Sequence, residues 1–305
     1  MAASVPATPA TNAAPVIVVG SVNIDLVAAG GRMPRPGETV VMQRFAEVQG
    51  GKGGNQAAAA AALGARVHFV GAVGSDHWGS EARAELAARG VDVSGLETVG
   101  GSTGVAIVLV DDDGENSIAI VPGANGEVTA PAVERSLAAI DAEEAVLVVC
   151  LEIPLDSVVA AARTAAARGW RVVLNPAPAR RLPAELVAAA TVITPNDTEV
   201  EVLGGAGALL AAGAGAVVVT RGGEGAEVHE AAAPLLRIPP SHADVVDTTG
   251  AGDAFTAALA VALARGRGLP DAVAWASAAG AIATEGFGAR GSLASSAQVD
   301  ERLNA

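Results

Sequence analysis

Val16-Ile-Val-Val-Gly20 is the stretch from which the fold can be read. It is short, wholly β-branched and ended by glycine, the pattern of a strand buried inside a sheet. Similar runs recur at Val67–Val73, Ala145–Leu151, Arg171–Leu174, Thr191–Thr194 and Ala216–Thr220. Alanine-rich stretches with helical character lie between them, at Asn55–Leu63, Gly79–Arg89, Asp156–Arg168 and Pro183–Ala189. This alternation predicts an α/β fold with a mostly parallel sheet and helices on both faces. From Thr249 onward the pattern turns helical, Gly250–Ala264 and then Pro270–Thr284. Phe255, Leu259 and Leu263 fall at helical spacing, so one face of the first of these helices is expected to pack inward.

Two segments interrupt the alternation. Val27–Phe45 is rich in glycine and proline, with a β-like patch at Glu38–Met42. Thr103–Val110 and Asn116–Val121 flank Asp111-Asp-Asp-Gly114, a hairpin pattern with turn formers in its middle. Too short to hold a core alone, these pieces predict a small sheet beside the main body, drawn from residues 25–48 and 101–121 and placed as a lid. Residues 15–305 then form a single domain. Residues 1–14 are small and polar, without a basic start or an apolar middle, and are expected to be a disordered tail rather than a signal peptide.

The chain has 305 residues and a formal charge of −14, which argues against broad binding to nucleic acid or to anionic membranes. An ATP site remains possible, since backbone N–H groups at a helix start can hold phosphate without basic side chains. Although 51% of residues are apolar, no uncharged run reaches the roughly 20 bulky residues of a membrane span. Cys150 is the only cysteine, which excludes a disulfide within the chain and fits a reducing cytoplasm. His68, His77, His229 and His242 are scattered, with no metal-ligand spacing.

The usual nucleotide signatures fail. Gly20-Ser-Val-Asn-Ile-Asp25 lacks the dinucleotide glycines, and Gly51-Lys52 is followed by Gly53 rather than by the serine or threonine of a Walker loop. What remains is Asp247-Thr-Thr-Gly-Ala-Gly-Asp253, which runs straight into a helix. Gly250, Ala251 and Gly252 place unpaired backbone N–H groups at the positive end of a helix dipole, a site for a transferring phosphoryl group. Asp253, in the first turn, is positioned to accept a proton from an attacking hydroxyl. Gly50-Gly-Lys-Gly-Gly-Asn55 opens another helix, with Gly51, Gly53 and Gly54 allowing close backbone approach. Asn55 and Gln56 there suit sugar hydroxyls, while Lys52 faces either a phosphate or solvent. Asn23 and Asp25 follow the first strand two residues apart, so they share a side if the chain stays extended. Glu152, Asn196 and Glu199 also follow apolar strands, which converges polar groups on one sheet edge.

Taken together these motifs resemble the PfkB family of carbohydrate kinases, and within it the ribokinase branch. The resemblance runs from Val16 to Ser292 and also draws on Ser102-Thr-Gly-Val105 and Asn175-Pro-Ala-Pro178. It implies a three-layer αβα sandwich with a small β-sheet lid that also forms a homodimer contact. It implies ATP-dependent phosphorylation of D-ribose at O5, with Asp253 as base and the backbone from Thr249 to Asp253 as anion hole. Asn23, Asp25, Gly51, Lys52, Gly53, Gly54, Asn55 and Glu152 match sugar-binding positions. Asn196 and Glu199 match a pair that organises Mg²⁺ and phosphates through water. Thr220, Arg221, Gly222, Gly223, Glu224 and Gly225 match the nucleotide loop, with Ser277 near the adenosine. A K⁺ site would use Asp247, Thr249, Ala283, Gly286, Gly288 and Ser292. The segment between Glu199 and Thr220 is shorter than in the family pattern. With no tyrosine and four phenylalanines in the chain, adenine is expected between aliphatic groups. Deoxyribose, a nucleoside or a hexose remains open as the substrate, as does a catalytically silent sugar or nucleotide sensor.

Overall fold

A computed structural model describes residues 13–304, so the expected tail falls almost wholly outside the described residues. Val16–Val19 runs through a nine-stranded sheet. Val16 and Val18 join one core cluster, with the helices Lys52–Ala62, Ala251–Ala264 and Leu269–Ala283. Ile17 and Val19 join the other, with the helices Ala130–Ala138 and Leu155–Ala167. Successive side chains of a strand point to opposite faces, so a strand covered on both faces is apolar throughout. The three layers follow.

Val16–Val19 pairs in parallel with Val67–Gly74 on one side and Val146–Val149 on the other. Val91–Val99 lies beyond the first, and Arg171–Leu174, Val192–Ile193 and Ala216–Thr220 lie beyond the second, all parallel. Ala226–Glu230 and Leu236–Ile238 finish that edge antiparallel. The winding therefore reverses between Val16–Val19 and Val146–Val149. Loops leaving the carboxyl ends of two such strands diverge and open a crevice, the place where open α/β sheets bind ligands.

Asn23–Ala29 leaves the main sheet and enters a second one, in the order Arg44–Gly50, Asn23–Ala29, Gly104–Val110, Asn116–Val121. The expected hairpin is there. The β-like patch at Glu38–Met42 is not a strand, because pairing with Asn23–Ala29 is used up from Arg44 onward and ends with Ala29 opposite Arg44. Apolar alternation alone, without a partner edge, leaves that segment as coil. The expectation of one inward face for the Ala251–Ala264 helix also needs correcting. Every residue from Asp253 to Leu263 is buried, because the Leu269–Ala283 helix covers the side turned from the sheet. A helix apolar all round is an interior helix, and its alanines let both neighbours come close. The short segment after Glu199 holds two small helices, Asp197–Val202 and Ala206–Ala211. Among the described residues no helix is long and apolar enough to cross a membrane.

Candidate active site

At the reversal point Ser21 Oγ donates to Glu152 Oε2, which also accepts from the backbone N–H of Lys52 at 2.9 Å. The first strand, the Val146–Val149 strand and the glycine–lysine loop are thereby joined. The loop can lie this close only because position 53 has no side chain: a Cβ on Gly53 would come within 2.6 Å of the Ser21 nitrogen. Lys52 is half-buried, and acids lie near enough to act on its ammonium. Burial pushes its pKa down, but the carboxylates of Asp253 and Glu152 outweigh that and hold it above the ordinary lysine value.

Asn23 and Asp25, expected to share a side, do so at the start of the Asn23–Ala29 strand. Asn23 Oδ1 accepts from Asn125 Nδ2 at 2.7 Å, which leaves the Asn23 amide nitrogen as the end offered to a ligand. Asn125 itself is locked to both backbone groups of Val22, at 2.9 and 3.0 Å. Burial, and then the charge of Glu152, push the Asp25 carboxyl up to about 6 against the pull of Arg290.

Asp253 sits in the first turn of the Ala251–Ala264 helix and is only 6% exposed. Asn55 Nδ2 donates to its Oδ2 at 3.0 Å and Gln56 Nε2 to its Oδ1 at 3.1 Å. Both carboxylate oxygens are thus aimed by amides on the Lys52–Ala62 helix. Gly250 caps the Asp253 helix at φ 80°, and a Cβ there would stand 2.6 Å from Ala289 Cα. The Ala251 amide turns back to Thr248 O at 3.2 Å, so it does not face a ligand as the sequence suggested. The amides of Gly252 and Asp253 are among those that a helix cannot satisfy from within. A Cβ on Gly252 would meet nothing within 4 Å. That turn is open.

Beside it lies a cavity of about 240 Å³. Thr220, Gly222, Gly223 and Gly225 form one wall, Ser277 and Ala281 another, and the cavity reaches Ala251 and Gly252. Arg221 and Glu224 do not line it. Arg221 turns away to Asp197 at 2.7 Å and Glu227 at 3.1 Å, because those carboxylates lie on the far side of its loop. Pro240, Ala243, Val245 and Ala281 give the cavity aliphatic surface, and Phe255 adds one aromatic surface.

Asn196 and Glu199 form a capping box: Glu199 N donates to Asn196 Oδ1 at 2.8 Å, and Asn196 N to Glu199 Oε2 at 2.9 Å. Asn196 also bridges Thr220, which puts this cap against the cavity wall. Among the described residues no three His, Cys, Asp or Glu side chains are grouped to hold a metal. Asp247 Oδ1 accepts from Thr249 N at 2.9 Å and Thr249 Oγ1 at 2.7 Å, and its Oδ2 from Gly288 N at 2.8 Å. Burial pushes the Asp247 carboxyl up, but these bonds outweigh it and hold it below the usual range. Gly286 backs onto Ser292, and Ala283 ends the Leu269–Ala283 helix nearby, so the expected cation residues meet in one place.

Two residues of the site carry no sequence signal: Asn125, and Arg290, whose Nε donates to Asn55 Oδ1 at 2.9 Å. Conversely, Gly100-Gly-Ser-Thr-Gly104 spells the nucleophile pattern G-x-S-x-G. It links two strands rather than a strand and a helix, and Thr103, not Ser102, bonds Gly74 N and Asp76.

The family profile described as pfkB family carbohydrate kinase matches residues 13–296. The ribokinase of Bacillus subtilis is 37% identical over 292 residues, covering 95% of this chain and 99% of that relative. The solved structure of Arabidopsis thaliana ribokinase complexed with ribose and ATP is 30% identical, with a TM-score of 0.85 over 96% of this chain and 99% of that one. A ribokinase structure from Thermotoga maritima gives the same 30% and 0.85, over 96% of this chain and all of the other.

Proposed function

The chain belongs to the pfkB family of carbohydrate kinases, and from that membership we propose that it transfers the γ-phosphate of ATP to O5 of D-ribose. The observation that carries this reading is that one cavity ends at the turn that bears Asp253. The cavity walled by the Thr220–Gly225 loop and Ser277 runs up to Ala251 and Gly252, in the turn that bears Asp253. A nucleotide in the cavity would present its terminal phosphate to that turn, while a sugar among Asn23, Asp25 and Glu152 would present a hydroxyl to Asp253.

In this reading Asp253 takes the proton of the primary hydroxyl as the oxygen attacks the γ-phosphorus. The bond from that phosphorus to the bridging oxygen breaks, and ADP leaves. The amides of Gly252 and Asp253, with the Lys52 ammonium, meet the charge that develops, each such donor contributing about 3 kcal/mol. Asn23 and Asp25 hold the ring hydroxyls, the first as donor and the second as acceptor. Gly51, Gly53 and Gly54 let the loop close on the sugar.

Mg²⁺ would neutralise the ATP phosphates and would enter bound to the nucleotide. Asn196 and Glu199 would hold its water shell beside Thr220. Asp247 and Thr249, with carbonyls of Ala283, Gly286, Gly288 and Ser292, supply the oxygen ligands that suit K⁺, which would stiffen the loop behind Gly250. One face of the small sheet exposes Phe45, Ile107 and Val121 and the other, which carries Asp25, exposes Ile118 and Ile120, apolar surface that a second copy of the chain would cover.

The test is a panel of ribose, deoxyribose, hexoses and nucleosides with ATP and Mg²⁺, in K⁺ and in Na⁺. Ribose is expected to give the highest kcat/KM, with faster turnover in K⁺. A hexose or nucleoside ahead of ribose would overturn the substrate, and ligand binding without ATP consumption would favour a silent sensor.

A further inference from the structure

Arg290 is the one arginine side chain drawn into the centre of the site, at 6% exposure. Three segments meet on its guanidinium. Nη1 pairs with Glu85 Oε2 at 2.6 Å, on the helix His77–Ala88. Nη2 donates to Gly50 O at 3.2 Å, at the end of the small-sheet strand Arg44–Gly50. Nε donates to Asn55 Oδ1 at 2.9 Å, on the glycine–lysine loop helix. Arg290 itself follows Gly288, whose amide holds Asp247.

The Asn55 bond has a directional consequence. A guanidinium carries only donors, so the amide of Asn55 must turn its oxygen to Arg290. Its nitrogen then points the other way, to Asp253 Oδ2 at 3.0 Å. The flipped amide would set N–H against guanidinium and carbonyl against carboxylate, two repulsive contacts at once. We propose that Arg290 is a positioning residue, which fixes the orientation of the Asn55 amide and through it the carboxylate of Asp253.

A second observation points the same way. A Cβ built on Gly54 would overlap Arg290 Nη2. Elsewhere a flexible arginine tip would step aside, but this one is held by Glu85, Gly50 and Asn55 and has little room to move. Gly54 therefore also leaves room for the guanidinium. Gly54 and Arg290 form a matched pair, and a methyl at 54 would push the guanidinium off Asn55. Removing the arginine also leaves Glu85 with Arg89 as its remaining cation partner.

This inference rests on the reading of Asp253 as the base, and the experiment separates the two. Steady-state kinetics with ribose and ATP are measured for Arg290→Gln, Gly54→Ala, the double variant and Asp253→Asn, each with its thermal melting point. Arg290→Gln should lower kcat about ten- to hundredfold, as small misplacements of a reacting group do. KM for ATP should stay within about twofold, because the nucleotide walls lie on other segments. Gly54→Ala should lower kcat to a similar degree, and the two losses should not multiply in the double variant. A merely structural arginine would lower the melting point and the active fraction but leave kcat per folded molecule unchanged, and an arginine acting independently of Gly54 would give losses that multiply. Either result overturns the positioning role. If Arg290→Gln does not fold, Gly54→Ala keeps the buried charge and its Glu85 partner, and a normal kcat there overturns the proposal alone. A near-normal Asp253→Asn overturns the base itself. An inactive Asp253→Asn beside a normal Arg290→Gln overturns only the part given to Arg290.

Discussion

On the proposed sugar side of the crevice Asn23, Asn55 and Glu152 are each tied by side-chain hydrogen bonds, to Asn125, Arg290 and Ser21. On the proposed nucleotide side Thr220, Gly222, Gly223, Gly225 and Ser277 wall a cavity with backbone and small side chains. One side selects by the direction of donors and acceptors, the other by shape. A hydroxyl-rich ligand demands the first, since each buried polar group needs a partner with the right role. A base on a flat apolar wall needs only the second. The two sides should therefore fail differently when altered.

Apart from loss of the base itself, the largest effect is expected where they meet. Gly250→Ala forces a side chain into φ 80° and against Ala289, displacing the amides proposed to meet the phosphate. A fall in kcat of about a hundredfold is expected, with ribose affinity by calorimetry little changed. An equal loss of ribose binding would show that the turn belongs to the sugar side as well.

Asp25 gives a smaller effect with a pH signature. Its carboxyl, pushed up to about 6, is protonated below that pH and ionised above it. An acceptor for two hydroxyls must be ionised, so ribose KM should rise as pH falls through about 6. Asp25→Asn should raise KM about tenfold and remove that inflection. The stability sign is the reverse of a paired acid's. Between the ordinary value of 3.8 and about 6 the folded chain keeps a proton that the unfolded chain has released, so this group's contribution falls as pH rises across that window. Melting points of Asp25→Asn against pH should lack that slope. A KM profile unchanged by the substitution would remove Asp25 from the sugar site.

The mildest change probes shape alone. Ser277→Leu narrows the cavity and should raise KM for ATP about tenfold, with ribose KM unaltered. A change in ribose KM would blur the division between the two sides.

The same contrast explains what could be read without coordinates. Val16–Val19 announced a doubly covered sheet because both its faces are apolar, and Asp253 stood out because glycines and an acid at a helix start are a local pattern. Asp247, Asn55 and Glu152 were legible for similar reasons. Asn125 and Arg290 were not. Each acts across a long sequence separation, on Asn23 and on Asn55, and nothing beside them in the chain marks them. Arg221 and Glu224 misled because loop membership does not say which way a side chain turns, and Asp197 and Glu227 decide that for Arg221. Glu38–Met42 misled because a strand needs a partner edge, and Arg44–Gly50 had taken it.

The central claim is that Asp253 removes the proton from the attacking hydroxyl, and Asp253→Asn tests it most directly. Measured at saturating ribose and ATP, with ribose binding followed by calorimetry, kcat should fall about a hundred- to ten-thousandfold while the ribose dissociation constant stays within a few fold. A folded Asp253→Asn enzyme that turns over at close to the normal rate would contradict the account.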